Sequence, residues 1–135
     1  MKTMVRKELV VTQRNEVGVG AEIFGVLSDL EINVRAFSAW VEGPQAHFTI
    51  IVDDEADIAK QALLNFGYDV DSREVLLLEL PNQPGALVMV LQKMAVADID
   101  VEKAYASGLD QATTPVVLRP ADIEAAIREL ADLGL

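Results

Sequence analysis

The chain has 135 residues, 51% of them hydrophobic, a formal net charge of −11 from 22 acidic and 11 basic residues, and no cysteine. Disulfides, thiolate metal sites and thiol catalysis are excluded. So acidic a surface also disfavours nucleic acids and anionic membranes, which are held by Lys and Arg neutralising phosphates.

Residues 7–13 form a short apolar run suited to a buried strand. A polar turn follows, and then Val19, Ile23, Val26, Leu27 and Leu30 recur on one face of a helix. Residues 33–41 read as a second strand, Gly43-Pro44 as a turn, and residues 47–52 as a third strand. Ile58, Ala62, Leu63 and Phe66 make the stripe of a second helix, with Asp57 where a helix start welcomes a carboxylate. Residues 68–71 give a fourth strand that runs into the next segment.

The order then starts again. Residues 74–80 are a strand. Ala86, Val90, Met94 and Ala97 form a helix face that Leu87 and Leu91 widen, while Lys93 snorkels outward. Residues 100–107 are a strand, residues 108–115 a turn, and residues 116–118 a shorter strand stopped by Pro120. Ile123, Ala126, Ile127 and Leu130 stripe a closing helix that begins at Asp122. No fourth strand follows it. Either this sheet is one strand short, or the amino end or a partner chain fills the edge.

The two halves are one pattern repeated. At a shift of 67 residues, Leu9-Val-Val-Thr-Gln-Arg-Asn-Glu-Val-Gly18 lies on Leu76-Leu-Leu-Glu-Leu-Pro-Asn-Gln-Pro-Gly85, and Glu31-Ile-Asn-Val34 lies on Asp98-Ile-Asp-Val101. The expected fold is α+β: two tandem ferredoxin-like βαββαβ units, residues 5–72 and 73–135, each with both helices on one face of an antiparallel sheet. The other sheet face is expected to be apolar and partly exposed, and its burial against a second copy would make a homodimer or larger assembly.

Leu80-Pro-Asn-Gln-Pro-Gly-Ala-Leu87 resembles the Asn-x-Pro-Gly-x-Leu turn of the ACT domain family. Glu31-Ile-Asn-Val-Arg-Ala-Phe-Ser38 resembles that family's second strand, and Ile50-Ile-Val-Asp-Asp54 its third. The chain is similar over most of its length to short stand-alone proteins made of two ACT domains. That resemblance implies a non-catalytic regulatory or sensing module, without a cofactor, that binds a small ligand, commonly an amino acid, at the seam between ACT units. Carried over, the turns contribute Asn15, Glu16, Val17, Gly18 and Val19, and Asn82, Gln83, Pro84, Gly85, Ala86 and Leu87. The second strands contribute Ile32, Asn33 and Val34, and Ile99, Asp100 and Val101.

The chemistry of these residues suits such a ligand. A turn entering a helix presents backbone N–H groups and the positive dipole end to a carboxylate. Gly18 and Gly85 allow close approach, and Asn15 and Asn82 offer both donors and acceptors. Two departures stand out. Val17 replaces the family's proline, and Asp100 stands where the first copy has Asn33, repelling a carboxylate while able to pair with an α-amino group.

Plainer readings compete. The glycines can serve turn geometry alone, and the asparagines can serve as helix caps. Asp53, Asp54, Glu55 and Asp57 lack the spacing and glycine of a calcium loop and read as a solvated helix entrance, so no metal is expected. His47 has no evident catalytic partner, and Trp40 reads as cover for apolar surface. No nucleophile–base pair, metal triad or phosphate loop points to an enzyme. The alternative function is a regulatory subunit that controls a partner enzyme or transporter without a ligand of its own. The basic start is interrupted by Glu8 before any signal-peptide run, and no stretch nears the roughly 20 apolar residues of a membrane span, so a cytoplasmic protein is expected.

Overall fold

The computed structural model describes residues 1–107 and 111–134. Among them run β1 (Lys2–Arg14), α1 (Val19–Asp29), β2 (Val34–Glu42), β3 (Gln45–Val52), α2 (Ala56–Asn65), β4 (Asp69–Pro81), α3 (Ala86–Val96), β5 (Val101–Ala106), β6 (Thr113–Pro120) and α4 (Ile123–Leu130). The order βαββα thus occurs twice, with β4 closing the first repeat and opening the second, in antiparallel strands with helices, as the periodicities predict. The part of the expected second turn at Gly108, Leu109 and Asp110 lies outside the described residues. Its remainder from Thr113 belongs to β6, which is longer than the three-residue strand the sequence suggests.

The chain divides into two compact units, Lys7–Arg73 and a second formed by Glu74–Leu135 together with Met1–Arg6. In the first unit the strand order is β2-β3-β1-β4. In the second it is β1-β4-β6-β5, so the amino-terminal stretch of β1 occupies the edge that the second repeat leaves without a strand of its own. Met1 packs against that unit's core.

Equivalent registers show the duplication at atomic level. Leu9 faces Ile50 and Val11 faces Phe48 in the first unit, while Leu76 faces Leu118 and Leu78 faces Val116 in the second. Each β2-type strand also carries the same irregularity. Pairing passes from Val34↔Val52 to Ala36↔Ile51, and from Val101↔Pro120 to Lys103↔Arg119. Arg35 and Glu102 are therefore the extra residues of two matching β-bulges, a device that re-aims a side chain.

The first core joins Leu9, Val11, Phe48, Ile50 and Val52 to Ile23, Leu27, Ala59 and Leu63. The second joins Leu76, Leu78, Leu80, Val116 and Leu118 to Val90, Met94, Ala126 and Leu130. Several helix positions differ from the expected stripes. Leu30, Ile58 and Phe66 are exposed, as are Leu87, Leu91 and Ile127. In α2 the buried residues are Ala59 and Leu63; the inward face is rotated by one position from Ile58 toward the small alanine.

On the sheet face away from the helices, Thr49 and Ile51 alternate with the core residues of β3, and Val75, Leu77 and Val117 with those of β4 and β6; all five are buried, where partial exposure was expected, while Trp40 on the same face is exposed.

Candidate functional site

The candidate residues of each unit fall in two chain reversals at opposite ends of its sheet, since Arg14 faces Gln45 while Val34 faces Val52, and Pro81 faces Thr113 while Val101 faces Pro120. The first follows the opening strand. Asn15, Glu16, Val17 and Gly18 are all exposed, as are Asn82, Gln83, Pro84 and Gly85. Gly18 (φ 92°) and Gly85 (φ 89°) stand at the N-cap positions of α1 and α3 in the left-handed region, and neither helix start receives a side-chain cap. That conformation is strained for any residue with a Cβ, so the glycines are required by the backbone. By contrast, Asp122 caps α4 by accepting the Ala125 N–H at 3.0 Å.

The asparagines do not cap these helices. The Asn15 N–H donates to the Pro44 carbonyl at 2.9 Å, and the Asn82 N–H to the Ala112 carbonyl at 2.9 Å. The Asn82 side-chain amide also donates to the Gln111 carbonyl at 3.0 Å. Both asparagines thus fasten the turn to the neighbouring β-connection. Val19 and Ala86 begin the helices but are buried, and their N–H groups already donate to the Glu16 and Gln83 carbonyls at 3.2 and 3.3 Å; Leu87 is exposed.

The second reversal lies between the first helix of each unit and the strand that follows. α1 closes with the Ile32 N–H donating to the Leu27 carbonyl and the Glu31 N–H to Ser28; α3 closes identically, Ile99 to Met94 and Asp98 to Ala95. This Schellman closure places its C′ residue in the left-handed region, here the non-glycine residues Glu31 and Asp98, each at φ 58°. In the first unit the reversal borders two clefts. One, of about 410 Å³, is lined by Phe24, Ser28, Glu31, Ile32, Asn33 and Val34. Another, of about 220 Å³, is lined by Glu31, Ile32, Asn33, Asp53, Asp54 and Glu55. The predicted Ile32, Asn33 and Val34 thus share one cleft, whose lining does not include the turn residues 15–19.

Two residues absent from the expected set complete this corner. Asn33 donates its side-chain amide to Asp53 Oδ2 at 2.9 Å, and Arg35 Nε lies 2.7 Å from Asp53 Oδ1. The Asp53 N–H also donates to the Asn33 carbonyl. In the second unit the Ala121 N–H donates to the Asp100 carbonyl at 2.8 Å, so the backbone link is kept while alanine replaces the aspartate. Ile99 and Val101 are half-buried and Asp100 is exposed. Glu102, at the bulge, pairs with Arg119 at 3.7 Å.

The acidic run elsewhere is occupied by ordinary pairing, with Lys7 holding Asp57 at 3.0 Å. No group of three or more potential metal ligands occurs among the described residues, nor any helix long and apolar enough to cross a membrane. Trp40 is stacked on His47, ring centroids 5.2 Å apart.

Taken together, the duplicated βαββα order, the matched registers and the paired turns define a tandem ACT fold. Solved structures carry the same arrangement. The chain is 28% identical to protein BT0572 from Bacteroides thetaiotaomicron, with a TM-score of 0.89 over 96% of this chain and 89% of that one. It also superposes on the regulatory subunit of aspartate kinase from Thermus thermophilus, in its ligand-free form (19% identity, TM-score 0.70, 98% and 97% coverage). The regulatory subunit of aspartate kinase from Thermus flavus is similar (21% identity, TM-score 0.66, 96% and 94% coverage). No protein-family sequence model and no curated protein matches the sequence.

Proposed function

We propose that this chain is a non-catalytic regulatory module that senses a small ligand bearing amino and carboxylate groups, an amino acid or a close analogue. The observation that carries the reading is the exposed helix start on a left-handed glycine, uncapped and present in both units. Such a start offers first-turn N–H groups and the positive dipole end to a carboxylate. The likeness to regulatory subunits of aspartate kinase supports regulation as the class of activity.

The direct test is a thermal-stability screen against the twenty L-amino acids. A ligand at about 100 times its dissociation constant stabilises the fold by roughly 2.7 kcal/mol. Silence across the panel contradicts the reading.

One observation favours a second reading, a subunit that engages a partner protein through α3. Val88, Met89 and Val96 are exposed, where the repeat places Ala21, Glu22 and Asp29 on α1. Met89 and Val96 also border a cleft of about 330 Å³ with Gln92, Lys93, Glu129 and Leu133. A helix apolar beyond its core stripe suits an apolar surface on another protein. Met89→Glu with Val96→Asp would abolish control of that partner; unchanged control contradicts this reading.

A further inference from the structure

Each unit ends its strand order on the strand that follows its first helix, β2 in one and β5 in the other, and the two edges are built differently. An edge strand carries a row of outward backbone N–H and C=O groups that another strand can adopt, unless shortness or charge blunts it. β5 has six residues, among them Glu102 and Lys103. β2 has nine, and its last four are all exposed. Its apolar residues are large, with Phe37 56% exposed, Trp40 43% and Val41 58%.

The register with β3 sorts these residues by face. Phe37, Ala39 and Val41 lie opposite Ile50, Phe48 and Ala46, on the face that joins the helices in the core. Ser38 and Trp40 lie opposite Thr49 and His47 on the other face. Residues directly opposed in antiparallel strands point to the same face. Two copies of β2 can therefore pair about a two-fold axis only in registers that keep these two sets apart, and the register centred on Ala39 does so. It sets Phe37 of each copy against Val41 of the other, an aromatic pair with a β-branched residue. On the opposite face it sets Trp40 against Ser38, and the small Ala39 lies on the axis. Charge agrees with this pairing. Arg35, its side chain 59% exposed, and Glu42 stand near opposite ends of β2, so antiparallel pairing brings each arginine to the glutamate end of the other copy.

We propose that β2 is a self-complementary edge through which two copies of this chain pair, antiparallel and two-fold symmetric, in register about Ala39. Such a contact is isologous and closes at two copies, while the charged β5 edge stays unjoined. The proposal is independent of the amino-acid reading.

The experiment is sedimentation equilibrium of the full chain and of three variants at exposed alanines. The wild type is expected to sediment at twice the chain mass. Ala39→Lys and Ala39→Glu each set like charges against one another across the axis, and each is expected to raise the dimer dissociation constant about a hundredfold or more. An equimolar mixture of these two is expected to dimerise again, because lysine then opposes glutamate; misfolded variants would not recover on mixing. Ala106→Lys, at the repeat-equivalent position of β5, is expected to leave the wild-type dimer within about twofold.

A monomeric wild type overturns the proposal. So does a dimer that withstands Ala39→Lys but is lost with Ala106→Lys, or with Met89→Glu and Val96→Asp on α3, since the joining surface would then lie elsewhere. Two Ala39 variants that stay apart on mixing overturn the register. Silence toward all twenty amino acids would bear on the sensor reading alone.

Discussion

The first unit sets aromatic rings at and beside its core, buried Phe48, half-buried Phe24 and exposed Phe37, where the second has aliphatic side chains. Phe24 meets Phe37 edge-on at 5.1 Å and Phe48 at 6.2 Å; the repeat and its registers set Leu91, Ala104 and Val116 at the matching places. Gly20 admits the Phe48 ring, since a Cβ there would lie 3.3 Å from it. The same frame therefore accepts two different packings. At the bulges the difference is one of charge, Arg35 against Glu102. The comparison teaches that duplication preserved backbone devices, namely glycine turns, helix closures and bulges, while the side chains they carry diverged.

If the cores are mechanically equivalent despite this divergence, truncating matched residues should cost similar amounts. Ile50→Ala and Leu118→Ala each remove a fully buried side chain and should destabilise by about 2–5 kcal/mol, read from urea unfolding. A cost confined to one of them breaks the equivalence.

Tyr68 sharpens the comparison by pH. Burial and the neighbouring Glu22 push its hydroxyl up to about 12 from its usual 10. A raised folded-state value means stability is fully present below pH 10 and is lost as pH rises toward 12. The loss should reach about 2 kcal/mol, and Tyr68→Phe should flatten it in melting curves measured across that window.

Gly18→Ala and Gly85→Ala test the shared turn. Neither added Cβ meets any atom within 4 Å, so the cost is backbone strain alone, about 1–2 kcal/mol at each. Unequal losses would mark one turn as more adaptable, and the first, with Val17 in place of a proline, is where that would appear. The smallest effect is expected at α4. Asp122→Ala removes the one side-chain cap described above and should cost about 1 kcal/mol, measurable by chemical denaturation.

Much of this frame was legible in the sequence because it depends on local rules. Gly18 and Gly85 reveal themselves by position, and the 67-residue repeat projects one unit onto the other. The helix faces were legible only in part. Ile58 and Phe66 look like core residues by size, but close packing on the sheet favours Ala59, and periodicity alone does not choose between adjacent phases. Burial of both sheet faces had a signal that alternation obscures. Ile50-Ile51-Val52 and Val75-Leu76-Leu77-Leu78 are continuous apolar runs, the mark of a sheet covered on both sides. Arg35 and Asp53 could not be joined from sequence, since their meeting depends on the β2–β3 register and on a bulge that has no residue signature of its own.

Hydrogen exchange on the full chain, with and without a saturating concentration of the most stabilising L-amino acid, tests the central claim most directly. The account predicts slowed exchange at a helix start, residues 18–21 or 85–88. Unchanged exchange at both would contradict it.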